Sequence, residues 1–285
     1  MGKHSSNYVL QAKSKEFYWE GSGQLSIKTF SNGKAHYKTN KGFFAVHEER
    51  YLLLNSGPYT ISIEEDQSVE SFCLFFKDGF AEEVMRSLQD SPESLLDDPN
   101  KPSHTVEFFE KTYEMDLNFT KQLNHFKNHY SLVQGDLIWQ EEQFYQLMQT
   151  IVNKHNKTIN QLHSLTALKF STREEMYRRI SLAHEYIRAC FDQTISLEDI
   201  AKTAGLSPNH LLRNYFEIFG KTPNQHVTEF RVQKAKRLLM NEEKSITDIA
   251  FDIGFNHPVS FSKMFKKYVG ISPMQFRKKV ILAKK

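Results

Sequence analysis

The stretch that decides the fold reads Ile195-Ser196-Leu197-Glu198-Asp199-Ile200-Ala201, then Gly205-Leu206-Ser207-Pro208, then Gly220-Lys221-Thr222-Pro223. The chain then repeats it: Lys244-Ser245-Ile246-Thr247-Asp248-Ile249-Ala250, Gly254-Phe255-Asn256-His257-Pro258, Gly270-Ile271-Ser272-Pro273. The copies lie 49 residues apart up to the glycine and 50 apart from the proline onward, so the second carries one extra residue in its turn. Ser196 and Ser245 each stand three residues before an aspartate, a short form of the capping box that starts a helix. Gly205 and Gly254 supply the positive φ that ends one. Ser207-Pro208 then reads as a cap plus first-turn proline, whereas His257-Pro258 keeps the proline behind a poor cap. Each copy is therefore helix, glycine turn, helix. Two such units in tandem imply a chain that grips DNA.

The second helix of each unit has a clear inside. Leu211, Tyr215, Ile218 and Phe219 recur at helical spacing, as do Phe261, Phe265, Tyr268 and Val269, and these read as core. The opposite face carries Asn209, His210, Leu212, Arg213 and Phe216 in the first copy. In the second it carries Val259, Ser260, Ser262, Lys263 and Lys266. These are the candidates for a DNA groove. Arg213 and Lys263 occupy equivalent positions and suit guanine edges or phosphate, and Leu212 and Val259 suit thymine methyls. Thr222-Pro223 opens a further helix running to about Met240, roughly 25 Å long at 1.5 Å per residue. Such a rod is fit to set two groove-reading helices about one DNA turn apart, roughly 34 Å.

These residues resemble the AraC/XylS family of transcription regulators. The resemblance covers the last hundred residues and is carried by Ile246-Thr247-Asp248-Ile249-Ala250, Gly254-Phe255, Ser260-Phe261-Ser262, Phe265-Lys266-Lys267, Gly270-Ile271-Ser272-Pro273 and Phe276-Arg277. In the first copy Gly205 to Pro208, His210-Leu211, Arg213 and Gly220 to Pro223 also fit. It implies seven helices, two helix-turn-helix units at about 195–220 and 245–270, a linker helix between them, and base contacts from the two second helices. Two positions depart from the pattern: Phe216 stands where a basic residue is usual, and His257 where an acidic cap is usual.

Charge divides the chain the same way. Residues 173–285 hold 20 Lys and Arg against 12 Asp and Glu, a net of +8, and residues 1–172 hold 17 against 22, a net of −5. A basic half suits a phosphate backbone. No long apolar run reads as a membrane span, and no secretory leader is recognisable at the N-terminus. Cys73 and Cys190 lie far apart without metal-site spacing and read as free thiols of a cytoplasmic protein.

The N-terminal half reads as short strands: Gln24–Phe30 and Lys34–Thr39 around Ser31-Asn32-Gly33, a hairpin signal; Tyr51–Leu54; Tyr59–Ile63; and Phe72–Phe76. This spacing suggests a small barrel or jelly roll, and the resemblance implies a cupin-like sensor. Its aromatic residues Phe43, Tyr51, Tyr59 and Phe72 are candidate ligand-lining residues, against an ordinary core as the plainer alternative. His36, His47 and Glu48 are scattered, with no metal-ligand spacing, and no catalytic motif stands out. Neither a metal, a cofactor nor a catalytic residue is expected. Residues 80–90 look helical, and residues 90–102, with Pro92, Pro99 and Pro102, read as a loop. Phe119, Leu123, Phe126 and Tyr130 form one helical stripe and Phe144, Leu147, Met148 and Ile151 another, suited either to covering the barrel or to making a homodimer. Residues 153–171 look like a polar tether, and Met176, Ile180, Ala183 and Ile187 start the first helix of the DNA domain.

The fold expected is α+β and multidomain: a cupin-like β-barrel with flanking helices over 1–165, and an all-α DNA-binding domain over 172–285. The function expected is a DNA-binding transcription regulator, an activator by resemblance, modulated through the N-terminal half. Double-stranded DNA is the main partner expected; RNA polymerase and a small-molecule effector are further candidates. Two alternatives stay open: a ligand-independent regulator whose N-terminal half only dimerises or binds a protein, and a cupin enzyme with a regulatory tail.

Overall fold

Seven strands and the helices that follow them build the first half of the computed structural model, which describes residues 6–97, 105–130, 132, 135–163 and 170–282. The strands are β1 (Tyr8–Gly23), β2 (Ser26–Ser31), β3 (Lys34–Thr39), β4 (Phe43–His47), β5 (Arg50–Leu54), β6 (Gly57–Phe75) and β7 (Lys111–Glu114). All pairings are antiparallel, in the order β4-β3-β6-β2-β5-β7, with β1 on the other edge of β6. The sheet curls into a nearly closed barrel. The 19-residue β6 is its spine. Its second half pairs with β2 through Ile27↔Leu74 and Thr29↔Phe72, and its first half pairs with β3 through Tyr37↔Ile61.

This corrects the hairpin expected at Ser31-Asn32-Gly33. Asn32 and Gly33 do take positive φ, 63° and 154°. The two strands they join do not pair with each other, however. Both run antiparallel to β6, so the chain kinks at Asn32-Gly33 and keeps its direction. β1 also starts before the sequence reading, which placed short strands over residues 17–77 and named its first at Gln24: the residues of β1 are mostly exposed, so apolar periodicity says little about it.

One face of the sheet is sealed by helices α1 (Phe80–Gln89), α3 (Leu117–Tyr130) and α4 (Leu137–His163); the short α2 (Pro92–Asp97) falls within the stretch expected as a loop. Ile27, Phe72 and Leu74 share one core cluster with Phe119, Leu123, Phe126, Phe144, Leu147, Met148 and Ile151. Both apolar stripes therefore cover the sheet. Helix α4 continues through residues 153–163, where the sequence suggested a tether; Val152 and Leu162 are buried, enough apolar contact to carry an otherwise polar helix. Residues 164–169 of that tether and 98–102 of the Pro99–Pro102 loop lie outside the described residues.

Helix α5 (Phe170–Cys190) opens the helical half, followed by α6 (Leu197–Thr203), α7 (Pro208–Phe219), α8 (Pro223–Leu238), α9 (Ile246–Asp252), α10 (Pro258–Val269) and α11 (Pro273–Leu282). The chain forms two compact units, residues 1–178 and 179–285, so the division falls inside α5, a few residues beyond the expected 165–172. Among the described residues no helix is long and apolar enough to cross a membrane. Both cysteines are buried, and neither forms a disulfide among the described residues.

Candidate nucleic-acid interface

The helix starts in the second unit follow from their caps. Ser196 Oγ accepts from the Asp199 amide, and the Asp199 carboxylate accepts from the Ser196 amide, a full capping box. Thr222 and Gln225 repeat it at α8. Ser245 accepts from the Asp248 amide, but the Asp248 carboxylate takes the Ser245 hydroxyl, so that box is half made. His257 makes no side-chain cap bond to α10, as its identity predicts.

Each helix pair is closed by its own core. Ile249, Ala250 and Ile253 pack with Phe261 and Phe265 in the second pair, together with Ala235 of α8 and Leu239, the residue that caps its end. In the first pair the Tyr215 hydroxyl sits between two imidazoles, 2.7 Å from His184 Nδ1 and 2.8 Å from His226 Nδ1. Burial holds His226 below the usual histidine range, so the neutral ring is the form packed there.

Helix α8 does more than span the distance between the pairs. Arg231 Nε donates to the Phe191 carbonyl at 2.6 Å and Nη2 to the Gln193 carbonyl at 2.9 Å, while its guanidinium lies 5.0 Å from the Phe255 ring centre. Lys234 pairs with Asp192 at 2.8 Å. One arginine thus ties the loop before α6 to the turn of the second pair. Gly254 in that turn has φ 80°, and a Cβ there would lie 2.5 Å from the Asp192 carbonyl oxygen. Glycine is required twice over, for conformation and for room. Arg231 carried no motif signal in the sequence; its role shows only once Phe191 and Phe255 are brought together.

The outer faces of α7 and α10 match position by position. Residue by residue, the two helices have the same burial pattern except at Ile218 and Tyr268. Asn209, His210 and Arg213 are exposed on α7; Val259, Ser260, Lys263 and Lys266 are exposed on α10; Leu212 and Ser262 are half-buried beside them. With Phe216, also exposed on α7, all ten residues singled out in the sequence lie on these two helices. The side chains of Arg213, Lys263 and Lys266 make no hydrogen bond or ion pair among the described residues, which leaves their charges available. The faces differ in charge. Lys263, Lys266 and Lys267 crowd α10, whereas the matching positions on α7 are Arg213, Phe216 and Glu217. Phe216 is 55% exposed, a large apolar side chain where α10 offers a cation.

In the first unit the four sequence candidates for ligand contact separate. Tyr59 lines a cavity on the sheet face away from the helices. Tyr51 and Phe72 lie in the helix-side core, and Phe43 stacks on His36 at 5.5 Å. Sequence reasoning missed the other residues that line this cavity, among them Lys28, its one charged group. Among the described residues no group of three or more His, Cys, Asp or Glu is placed to hold a metal ion.

A family model described as a helix-turn-helix domain matches residues 200–279, spanning both helix pairs. The melibiose operon regulatory protein of Escherichia coli (strain K12) is 34% identical over 93 residues, 33% of this chain and 31% of that protein. Over this region the chain is similar to AraC/XylS-type regulators. A likeness reaching beyond this AraC/XylS-type region is to an uncharacterised HTH-type transcriptional regulator, YdeC, of Bacillus subtilis (strain 168): 26% identical over 245 residues, 84% of this chain and 73% of that one. Among solved structures, the C-terminal domain of AraT, a response regulator from Geobacillus stearothermophilus, is similar at 33% identity with a TM-score of 0.35, over 35% of this chain and 84% of that one. The match to the melibiose regulator spans about a third of that protein's length.

Proposed function

We propose that this AraC/XylS-type regulator reads two successive major-groove segments of one duplex, with α7 and α10 as the reading helices, and acts as an activator. The observation that carries the reading is the matched outer face: twelve-residue helices with the same buried positions present Arg213 and Lys263 at equivalent, unpaired sites. Helix α8, at 16 residues, is about 24 Å long, and one turn of DNA is about 34 Å. The lysine face of α10 supplies the stronger phosphate grip, and α7 depends more on Arg213 and on apolar contact.

The N-terminal unit, a cupin-like barrel on this reading, modulates that affinity as a homodimer in the cytoplasm. A signal there shifts the balance between a DNA-competent and an incompetent state.

Selection from a random DNA pool with the full-length protein at physiological salt tests the reading. A motif in two parts about one helical turn apart is expected. Arg213→Ala and Lys263→Ala are each expected to lose about 1–3 kcal/mol at one base position and to relax specificity there. A uniform loss across all sequences would demote that residue to a backbone contact, and a motif confined to one turn would remove one reading helix.

A further inference from the structure

The cavity in the first unit has one charged group in its wall. It is an open cleft of about 270 Å³ on the sheet face opposite the helices, built from cross-strand rows. Leu10, Cys73 and Lys28 are register neighbours on β1, β6 and β2; Ala12, Ser71 and Phe30 form the next row; Trp19, Ile61 and Tyr37 form a further one. Everything in these rows is apolar or neutral except Lys28. That side chain is 1% exposed. Its ammonium donates to the Tyr59 hydroxyl at 3.1 Å and lies 3.6 Å from the centre of the Phe75 ring. Among the described residues no carboxylate pairs with it. A buried cation normally has an acidic partner, because desolvation is otherwise uncompensated. Cys73 beside it offers no such partner, since burial pushes its thiol up and keeps it neutral. The β1 wall is half open to solvent: Leu10 is 46% and Phe17 45% exposed.

We infer that this cleft binds a small organic monocarboxylate, with its carboxylate on Lys28 and the Tyr59 hydroxyl and its apolar body against Trp19, Phe30 and Ile61. The volume equals that of roughly nine liquid waters, so the occupant has on the order of ten non-hydrogen atoms. The surroundings argue for a single charge. An adjoining groove, sharing Phe17 and Ile63 with the cleft, is lined by Glu16, Glu64, Glu65 and Asp66, and would repel a phosphorylated or polyanionic ligand. The inference deepens the reading of the N-terminal unit as the modulating one, and rests on it for its consequence at DNA.

The test uses the full chain with phenylacetate and octanoate as probes and with 2-phenylethanol and octanol as their uncharged counterparts. Binding is followed by tryptophan fluorescence, Trp19 being in the cleft wall, and by the thermal midpoint. At least one acid is expected to bind ten-fold or more tighter than its alcohol. Lys28→Met is expected to abolish that preference, and Ala12→Phe, which fills the cleft from its exposed wall, to abolish binding of both. Equal binding of acid and alcohol by the wild type, no binding of either acid at 10 millimolar on the order of weak-ligand concentrations, or an acid preference that survives Lys28→Met would each overturn the site. Acid binding that leaves the affinity for selected DNA unchanged would keep the site and refute its modulating role.

Discussion

Replacing Lys28 by methionine should make the first unit more stable. Burial pushes the Lys28 ammonium down from 10.5 to about 8. Between those values the unfolded chain holds a proton that the folded chain gives up, so folding at pH 7 carries a cost of about 3 kcal/mol. Methionine keeps an unbranched apolar stem in the same place. It forfeits the bond to Tyr59 and the contact with Phe75, together about 1 kcal/mol. A net gain of about 2 kcal/mol remains, or roughly 6 °C in the midpoint of a unit of this size. Both tryptophans, Trp19 and Trp139, lie in this unit, so fluorescence-detected unfolding reports on it. The sign with pH follows from the lowered value: wild-type stability rises as pH climbs from 8 to 10.5, and the gap between the two proteins should close by about pH 10. A variant no more stable than wild type at pH 7, or a gap unchanged between pH 7 and 10, would refute the account of Lys28 as an uncompensated charge.

Other perturbations reach the remaining features. Gly254→Ala forces a Cβ to 2.5 Å from the Asp192 carbonyl at φ 80° and should cost about 3 kcal/mol; Gly220→Ala, at φ 66° with open space around it, should cost about 1 kcal/mol, and equal losses in chemical denaturation would contradict the steric argument. Burial first, and then the neighbouring Arg178, hold His155 down to about 4. Its stabilising neutral form is complete above pH 6.5 and lost on acidification, so taking the protein from pH 7 to 5 should cost about 2 kcal/mol, and His155→Gln should flatten that part of the urea-unfolding profile. Phe216→Lys would give α7 the cation α10 already has, raising the magnitude of the salt slope of DNA binding by about 1, and Lys266→Ala should lower it by about 1; salt titration of affinity decides both.

The helical half was legible because its signals are local. Ser196, Asp199, Gly205, Ser207 and Pro208 each act within a turn of their own position, and the repeat at Ser245 to Pro258 states them twice. The outer faces of α7 and α10 were legible for the same reason: helical periodicity separates Leu211 and Tyr215 from Asn209 and Arg213 without reference to the rest of the chain. The barrel was not legible to that depth. Asn32-Gly33 announces a bend, yet whether the strands beside it pair with each other or both with β6 is a long-range choice that β6 makes. Lys28 hid for a related reason. Between Ile27 and Thr29 it looks like the outward position of a half-buried strand. The structure buries both faces, because β1 and the first half of β6 form a second wall around the outward side. The same holds for Arg231, whose partners Phe191 and Phe255 lie tens of residues to either side.

The first unit has two interiors divided by a sheet one residue thick. Along β2 and β6, Ile27, Phe72 and Leu74 belong to the helix-packed side, and Lys28, Phe30, Ser71 and Cys73 to the cleft. Neighbouring positions thus answer to different demands. Substitutions at the cleft positions are free to retune what the cavity accepts while the helix-side support stays intact, which makes this module easy for selection to re-specialise by point changes. A one-residue insertion or deletion in either strand acts oppositely: it trades the two sets of side chains across the sheet, pushing Lys28 among the phenylalanines of α3 and α4 and the supporting core into water.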